Sequence, residues 1–273
     1  MKAKQNFRKA IAYIILTICG FIMVFPFLWM IATSFKTGVD VYSLSLIPKE
    51  FSLANYIKIL GTSPFMLWFK NSFIVAAITT LSVLIFDPIV GYAFAKYEFK
   101  GKEPIFLLIL STLMIPTEMM IIPWYLAVVK LQWTNKMISL LFPGLMSAFG
   151  VFLMRQFFSS VPNDLLDAGR IDGLSELQIY RKIALPLVKP ALSALGIFTF
   201  LGSWNSFLWP VIVLNDKSLY TITVGVAQFS SEIANQWDLI MTGASIATLP
   251  VLVIFMIFQK QIIEGIQLTG TKG

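Results

Sequence analysis

The chain has 273 residues, of which 57% are hydrophobic, 14% aromatic and 13% charged, and its mean hydropathy is +0.79. A soluble domain is about one quarter charged and a disordered chain is poor in aromatic residues, so these proportions leave a polytopic membrane protein. The net charge of +7 would suggest nucleic-acid binding in a soluble protein. Here it is interpreted as membrane topology, and no nucleic-acid partner is expected.

Residue types that the chain lacks exclude several kinds of chemistry. It has no histidine and a single cysteine, Cys19, which excludes a Ser-His-Asp triad, the usual zinc sites and an internal disulfide. The sequence has no GxxxxGK[ST] motif, so no phosphate-binding loop is expected. We therefore expect no catalysis, cofactor or metal on this chain, and energy from a gradient or a partner.

Six apolar segments reach the roughly 20 residues that a membrane-spanning helix needs. They predict an all-α transmembrane bundle that forms one domain, residues 1–273. The first segment follows a basic tail, as in a signal peptide, but its apolar run exceeds the usual length of about 7–15 residues, so we interpret it as an uncleaved span. The segments are 11–33, 71–95, 105–129, 137–154, 187–213 and 240–259.

Basic residues are divided unequally between the two sides that these spans define. With the amino terminus inside, 14 of the 21 lysines and arginines fall inside, and every arginine is among them. This asymmetry predicts that both termini are cytoplasmic. Most tryptophans fall near predicted outer ends, as in an interfacial aromatic belt. The inside residues are Lys2, Lys4, Arg8, Lys9, Lys96, Lys100, Lys102, Arg155, Arg170, Arg181, Lys182, Lys189, Lys260 and Lys272.

This topology leaves two long connections. The first, at about residues 34–70, is extracellular and is predicted to hold one or two short surface helices. The second, at about residues 155–190, is cytoplasmic and contains features that an ordinary loop lacks.

Two acidic residues fall inside predicted spans, where ionisable groups are functional candidates. Asp87 precedes Pro88 and is expected to interrupt the second span. Three roles are open for Asp87: lining the pathway, pairing with a basic residue of a partner, or a structural role in which it binds backbone amides. We favour the structural role. Glu118 lies between Pro116 and Pro123, where we expect a broken helix. It either meets the transported molecule or has a structural pairing.

The cytoplasmic segment 161–190 predicts two short amphipathic helices. Pro162 suits the first turn of a helix, and glycines at 169 and 173 permit a bend. Ser175 and Gln178 form a capping-box pattern that starts a second helix. Leu177, Tyr180 and Ile183 are predicted to form its apolar stripe, and Pro186 to end it. Such a loop lies on the bilayer surface or docks in a cleft of another protein.

In the fifth span, Trp204 and Asn205 combine an aromatic ring with an amide. This pair suits stacking and hydrogen bonding to a sugar, although aromatic residues in membrane helices more often pack or anchor the helix at the interface.

Residues 167–174 resemble the EAA loop of the permease subunits of bacterial ABC importers. The family pattern, EAA-x-x-DGA followed by LP and P, corresponds here to DAGRIDGL, Leu185-Pro186 and Pro190. Departures are Asp for Glu at 167, Gly for Ala at 169, which adds flexibility, and Leu for Ala at 174. The resemblance implies that this loop couples to an ATPase subunit through Asp167, Ala168, Gly169, Arg170, Asp172, Gly173 and Leu174.

The rest of the chain resembles the carbohydrate-uptake branch of this family, and in particular the six-helix partner related to the smaller maltose permease subunit. The similar motifs are TSFKT at 33–37, NSFIVA at 71–76, GYAFAKYEFKGK at 91–102, MIPTEMMIIPWYL at 114–126, WNSFLWPVIVL at 204–214 and FQKQIIEGIQLTGTKG at 258–273. Candidate residues of the translocation path are therefore Asn71, Asp87, Glu118, Trp204 and Asn205.

The resemblance also implies a set of partners in the bacterial cytoplasmic membrane. These are a second permease, an ATPase dimer that binds ATP and Mg, and an extracellular sugar-binding protein. The carboxyl-terminal tail, residues 269–273, is expected to reach the ATPase. The predicted spans contain acids in their interiors, whereas Lys189, their one basic residue, lies at the end of a span. A neutral sugar, above all an oligosaccharide, is therefore favoured over an anion.

A proton-coupled carrier with Asp87 and Glu118 as its relay is the main alternative to an importer. It would not need the docking loop. A membrane-bound enzyme is a weaker alternative, because no cluster of catalytic groups is evident.

Overall fold

The computed structural model describes the backbone of residues 2–62, 64–233 and 236–270, and the side chains of residue 6 and of residues 9–61, 64–233 and 236–259. In these ranges the regular elements are all helices. They are α1 Lys2–Ser34, α2 Ala54–Thr62, α3 Phe65–Lys96, α4 Lys102–Thr112, α5 Ile121–Lys130, α6 Met137–Leu141, α7 Ala148–Ser159, α8 Asn163–Ile171, α9 Glu176–Leu187, α10 Lys189–Trp204, α11 Leu208–Val213, α12 Ile222–Glu232 and α13 Trp237–Gly270.

The predicted all-α membrane bundle is confirmed, with bends that the sequence analysis did not place. Among the described residues, three helices are long and apolar enough to cross a membrane as single elements: Lys9–Ser34, Phe65–Lys96 and Trp237–Gln259. Three further candidates are helix pairs, bent by 94° between α4 and α5, by 41° between Met137–Gly144 and α7, and by 79° between α9 and α10.

One proline lies at a helix break, whereas another lies inside a continuous helix. The predicted span 105–129 breaks before Pro116, where the expected interruption beside Glu118 is confirmed. Pro88, by contrast, lies inside the continuous helix α3, so the predicted interruption at Asp87 is wrong. Membrane helices tolerate proline where neighbouring groups satisfy the freed backbone.

Contacts divide the chain into two compact units, which are described separately. The first comprises residues 1–66 and 225–249. The segment after α1 holds a short 3-10 helix, Gly38–Tyr42, and α2, as predicted. Lys36 is fully buried there, and its ammonium donates to the carbonyl oxygens of Ser43 (3.0 Å) and Ser45 (2.6 Å) and to the Ser43 hydroxyl (3.1 Å). Three hydrogen bonds match the three donors of the ammonium and make its burial tolerable.

An aspartate in the same segment completes this turn. Asp40 accepts from the Ser43 hydroxyl and from the backbone N–H of Lys49, each at 3.0 Å. The bond from Lys49 lowers the pKa of the Asp40 carboxyl, because it stabilises the charged form. The segment is therefore fixed by its own polar residues.

The second unit comprises residues 67–224 and 250–273. One of its cores joins α3, α7 and the cytoplasmic loop through Tyr92, Met154, Phe158, Leu166 and Ile179. Another lies around Val128, Leu140, Trp209, Val213 and Leu214. The cytoplasmic loop is thus packed onto membrane helices rather than attached by a flexible strand.

Candidate functional site

The cytoplasmic loop has the predicted helix–bend–helix form. Helix α8 begins directly after Pro162. Gly173 has φ +76°, a left-handed conformation that costs other L-residues about 1–2 kcal/mol. The Ser175–Gln178 capping box is present, with both reciprocal hydrogen bonds. The local signals in the sequence therefore located both helices and the bend between them.

The apolar stripe of the second helix is not the one that the sequence predicted. Leu177 is 56% exposed, whereas Ile179 and Ala184 are fully buried. A π-helical turn over Tyr180–Ala184 adds a residue to that turn, so the buried positions depart from a regular helical repeat. The assignment of Leu177 to the stripe is therefore wrong.

Gly169 is a packing residue rather than a flexible one. It is buried within α8, and a Cβ atom built there would lie 2.6 Å from Ile183 Cδ1 and 3.3 Å from Ile179 Cγ1. The expectation that this glycine adds flexibility is wrong, because it allows the two helices of the loop to approach closely.

An ion-pair network holds the outer surface of the loop together. The Arg170 guanidinium donates to both carboxylate oxygens of Glu176, at 2.8 and 3.2 Å, and also pairs with Asp167. The bonds to Glu176 and then to Asp167 raise the pKa of Arg170. These groups are exposed, so we regard the network as fixing geometry more than adding stability.

Two consecutive residues attach this loop to the cytoplasmic end of α3. Lys96 donates to the carbonyl of Val161 (2.6 Å) and to the side chain of Asn163 (2.8 Å) at the start of α8. The hydroxyl of Tyr97 donates to Glu176 (2.7 Å) at the start of α9. Burial, followed by this bond, raises the pKa of Tyr97 to about 12, so the hydroxyl keeps its proton at physiological pH. No local sequence pattern predicts these contacts between distant residues.

The exposed face of α8 includes a residue that the sequence analysis missed. Ile171 is 86% exposed and follows Leu165, 45% exposed, and Ala168 along the helix. Helical spacing of 165, 168 and 171 places them along one side, opposite the buried Leu166. The spacing of these three apolar residues is visible in the sequence and could have identified this face.

Asp87 binds the start of another helix. Its buried carboxylate accepts from the backbone N–H of Ser147 (3.2 Å) and from the Ser147 hydroxyl (2.8 Å). The Ser147 oxygen in turn accepts from the N–H of Gly150, which caps α7. The carboxylate also lies at the positive end of that helix dipole. The geometry agrees with the favoured structural role of Asp87.

The other candidate path residues are not brought together. The Asn71 amide donates to the carbonyls of Ser218 (2.9 Å) and Tyr220 (3.0 Å). Trp204 is buried against Phe69 and Phe200. Glu118 and Asn205 are exposed, each beside a helix break.

A cavity of about 480 Å³ lies within the second unit, among α3, α5, α7, α10 and α11. None of the residues that line it is charged. Its walls include Trp124, Trp209 and several threonine and serine side chains. Thr117 lines it, but its neighbour Glu118 does not. The lining hydroxyls were absent from the candidate residues of the sequence analysis.

Comparison with known proteins defines the class. Residues 88–267 match the family described as "Binding-protein-dependent transport system inner membrane component". The chain belongs to this family: it is a multi-pass permease subunit of a binding-protein-dependent ABC importer and not an enzyme. This membership decides against the proton-coupled carrier.

Among the relatives is the arabinooligosaccharides permease AraQ of Halalkalibacterium halodurans, 36% identical over 93% of both chains. AraQ of Bacillus subtilis is 37% identical over 91% of this chain and 90% of that protein. A crystal structure of a bacterial ABC transporter involved in the import of the acidic polysaccharide alginate has a chain with the same fold. Its TM-score is 0.85 at 22% identity, and the match covers 94% of this chain and 97% of that one.

Proposed function

We propose that this chain forms half of the translocation pathway for a neutral oligosaccharide in a bacterial cytoplasmic membrane. A second permease subunit forms the other half, an extracellular sugar-binding protein delivers the cargo, and an ATPase dimer that binds ATP and Mg supplies the energy. The observation that carries this proposal is the rigid cytoplasmic loop, whose α8 presents an exposed apolar face beside a glycine bend. The substrates named for the relatives support the choice of sugar.

The loop transmits movement of the ATPase to the membrane helices. The exposed face of α8 and the bend at Asp172-Gly173 dock on the ATPase subunit, with Ala168 and Leu174 at the two ends of the contact. Arg170, held by Asp167 and Glu176, keeps α8 and α9 in one geometry. Gly169 allows their close packing.

The hydrogen bonds of Lys96 and Tyr97 transmit a movement of the loop to α3, because they join the end of that helix to both helices of the loop. Such rigid-body motion underlies alternating access. Among the candidate path residues, Glu118 and Asn205 have exposed polar groups for a sugar, whereas Asn71, Asp87 and Trp204 support the path through internal contacts. Of the predicted tail, residues 269–273, the backbone of 271–273 and all side chains lie outside the described residues. Its contact with the ATPase stays a prediction.

Purification in a mild detergent from the native membrane tests the assembly. We expect a second permease and an ATPase to co-purify, and ATP hydrolysis by this complex to rise when the sugar-loaded binding protein is added. Purification of the chain alone, from membranes that contain both partners, would argue against the proposal.

Ile171→Asp is expected to release the ATPase. Ile171 is almost fully exposed in this chain, so the substitution leaves the fold intact. It places a negative charge in the apolar contact that we propose between α8 and the ATPase. Loss of a hot-spot contact near the centre of an interface costs about 2 kcal/mol or more, roughly 30-fold in affinity. Co-purification of the ATPase, measured against the amount of inserted chain, checks this.

Val39→Asp is the matched control, since Val39 is 89% exposed and lies on the predicted extracellular side. This variant is expected to retain the ATPase. Equal retention by the two variants would remove Ile171 from the docking face.

A further inference from the structure

Seven serine and threonine residues line the cavity of the second unit, and four of them lie within helical segments. They are Thr79 on α3, Thr117 after the break that follows α4, and Thr199 and Ser203 on α10. Irregular backbone at membrane depth is tolerated where it lines protein or a water-filled space. The breaks at 113–116 and 145–147 both border this cavity, through Thr117 and Ser147.

These four hydroxyls differ in their hydrogen bonding from several other helix hydroxyls in the described part of the chain. Serine and threonine in a helix commonly donate back to a carbonyl of the preceding turn. Ser111 (2.8 Å), Thr112 (2.7 Å) and Thr248 (2.8 Å) do so. In the ranges that the structure describes, the hydroxyls of Thr79, Thr117, Thr199 and Ser203 make no hydrogen bond to a protein atom.

Thr79 is the clearest of the four. The residue is only 6% exposed and lines the cavity, and its hydroxyl makes no hydrogen bond within the described part of the chain. An unpaired hydroxyl that borders a cavity is available to bind water or a ligand.

Aromatic surface lies on the same cavity. The rings of Trp124 and Trp209 meet edge to face with centroids 5.9 Å apart. The Trp209 indole N–H donates to the Ser139 carbonyl at 2.9 Å, which fixes the ring. A few convergent polar groups on a mainly apolar, aromatic wall are typical of small-molecule sites.

We propose that Thr79, Thr117, Thr199 and Ser203, with Trp124 and Trp209, form a sugar-binding subsite that this subunit itself contributes to the pathway. The inference rests on the proposed function. The hydroxyls bind those of a neutral sugar, and the indole surfaces contact its apolar face. The uncharged wall disfavours acidic sugars, because an anion would require basic groups or helix amino termini on its path.

Removal of single hydroxyls from the complete importer tests the subsite. Thr79→Val and Thr199→Val keep the shape of threonine, and uptake of labelled arabinotriose, lactose and trehalose is measured in proteoliposomes with the binding protein. For whichever probe the wild type transports, we expect transport at limiting sugar to fall about three- to tenfold, as for one lost neutral hydrogen bond. ATP hydrolysis without sugar is expected to stay at the wild-type rate.

Thr112→Val and Thr248→Val are matched controls, because their hydroxyls already bond to their own helices, and they are expected to transport normally. Thr79→Ser retains the hydroxyl and is therefore expected to transport like the wild type, unlike Thr79→Val. If Thr79→Val does not assemble, Thr199→Val alone decides.

Wild-type transport by Thr199→Val, or an equal loss in the control variants, would overturn the subsite and leave the importer intact. Failure of the wild-type complex to transport any of the three sugars would instead overturn the proposed substrate class.

Discussion

Replacing Gly173 with tryptophan is expected to leave the chain inserted in the membrane while transport falls to background. Gly173 has φ +76°, and a Cβ atom built there has no neighbour within 4 Å. The indole therefore projects away from this chain, into the contact that we assign to the ATPase. An obstructed interface centre costs enough affinity, about 2 kcal/mol or more, to separate the subunits. Sugar uptake and co-purified ATPase are measured together.

Two smaller substitutions separate bulk from backbone strain at this position. Asparagine adopts the left-handed conformation more readily than other residues, so Gly173→Asn is expected to keep most transport and most bound ATPase. Valine is β-branched and unfavourable at this φ, and Gly173→Val is expected to lose part of both. Normal transport by Gly173→Trp would show that the bend does not contact the ATPase.

The sequence predicted the parts of the loop that depend on local signals. Pro162, the Ser175–Gln178 capping box and Gly173 each act within a few residues, and the structure has the expected helix starts and bend. The buried face of the second helix was predicted incorrectly, because the π turn at Tyr180–Ala184 is identified only by packing against α8 and the membrane helices. Tertiary contacts determine which residues of this helix are buried, and a regular helical repeat in the sequence does not predict them.

Hydropathy located the six apolar segments but not their bends, because transfer free energy depends on composition rather than on backbone direction. Proline is a weak guide in a membrane, as the contrast between the unbroken helix at Pro88 and the break before Pro116 illustrates.

The candidate path residues were chosen by residue type. Residue type does not show which side chains already have hydrogen-bond partners within the chain. Asn71 and Asp87 have their hydrogen bonds within the chain, whereas Thr79 and Thr199, ordinary residues in an apolar helix, do not. Side-chain pairing between helices that are distant in sequence determines this difference.

Gly150→Ala is expected to destabilise the second unit strongly, because the added methyl group overlaps the Asp87 carboxylate and lies 2.8 Å from the Ser147 hydroxyl oxygen. The cap of α7 must then open, and each buried polar group left unpaired costs about 1–3 kcal/mol. We expect a lower yield of folded protein and a lower thermal unfolding midpoint in detergent.

Substitutions of Asp87 separate this structural role from proton transfer. Asp87→Asn keeps an oxygen that accepts from Ser147 and is expected to retain most uptake, whereas a proton relay would lose its function. Adding Asp87→Ala to Gly150→Ala removes the overlap, so the double variant is expected to be more stable than the sum of the two single effects predicts. Strict additivity would contradict the capping contact, since residues that do not touch give independent losses.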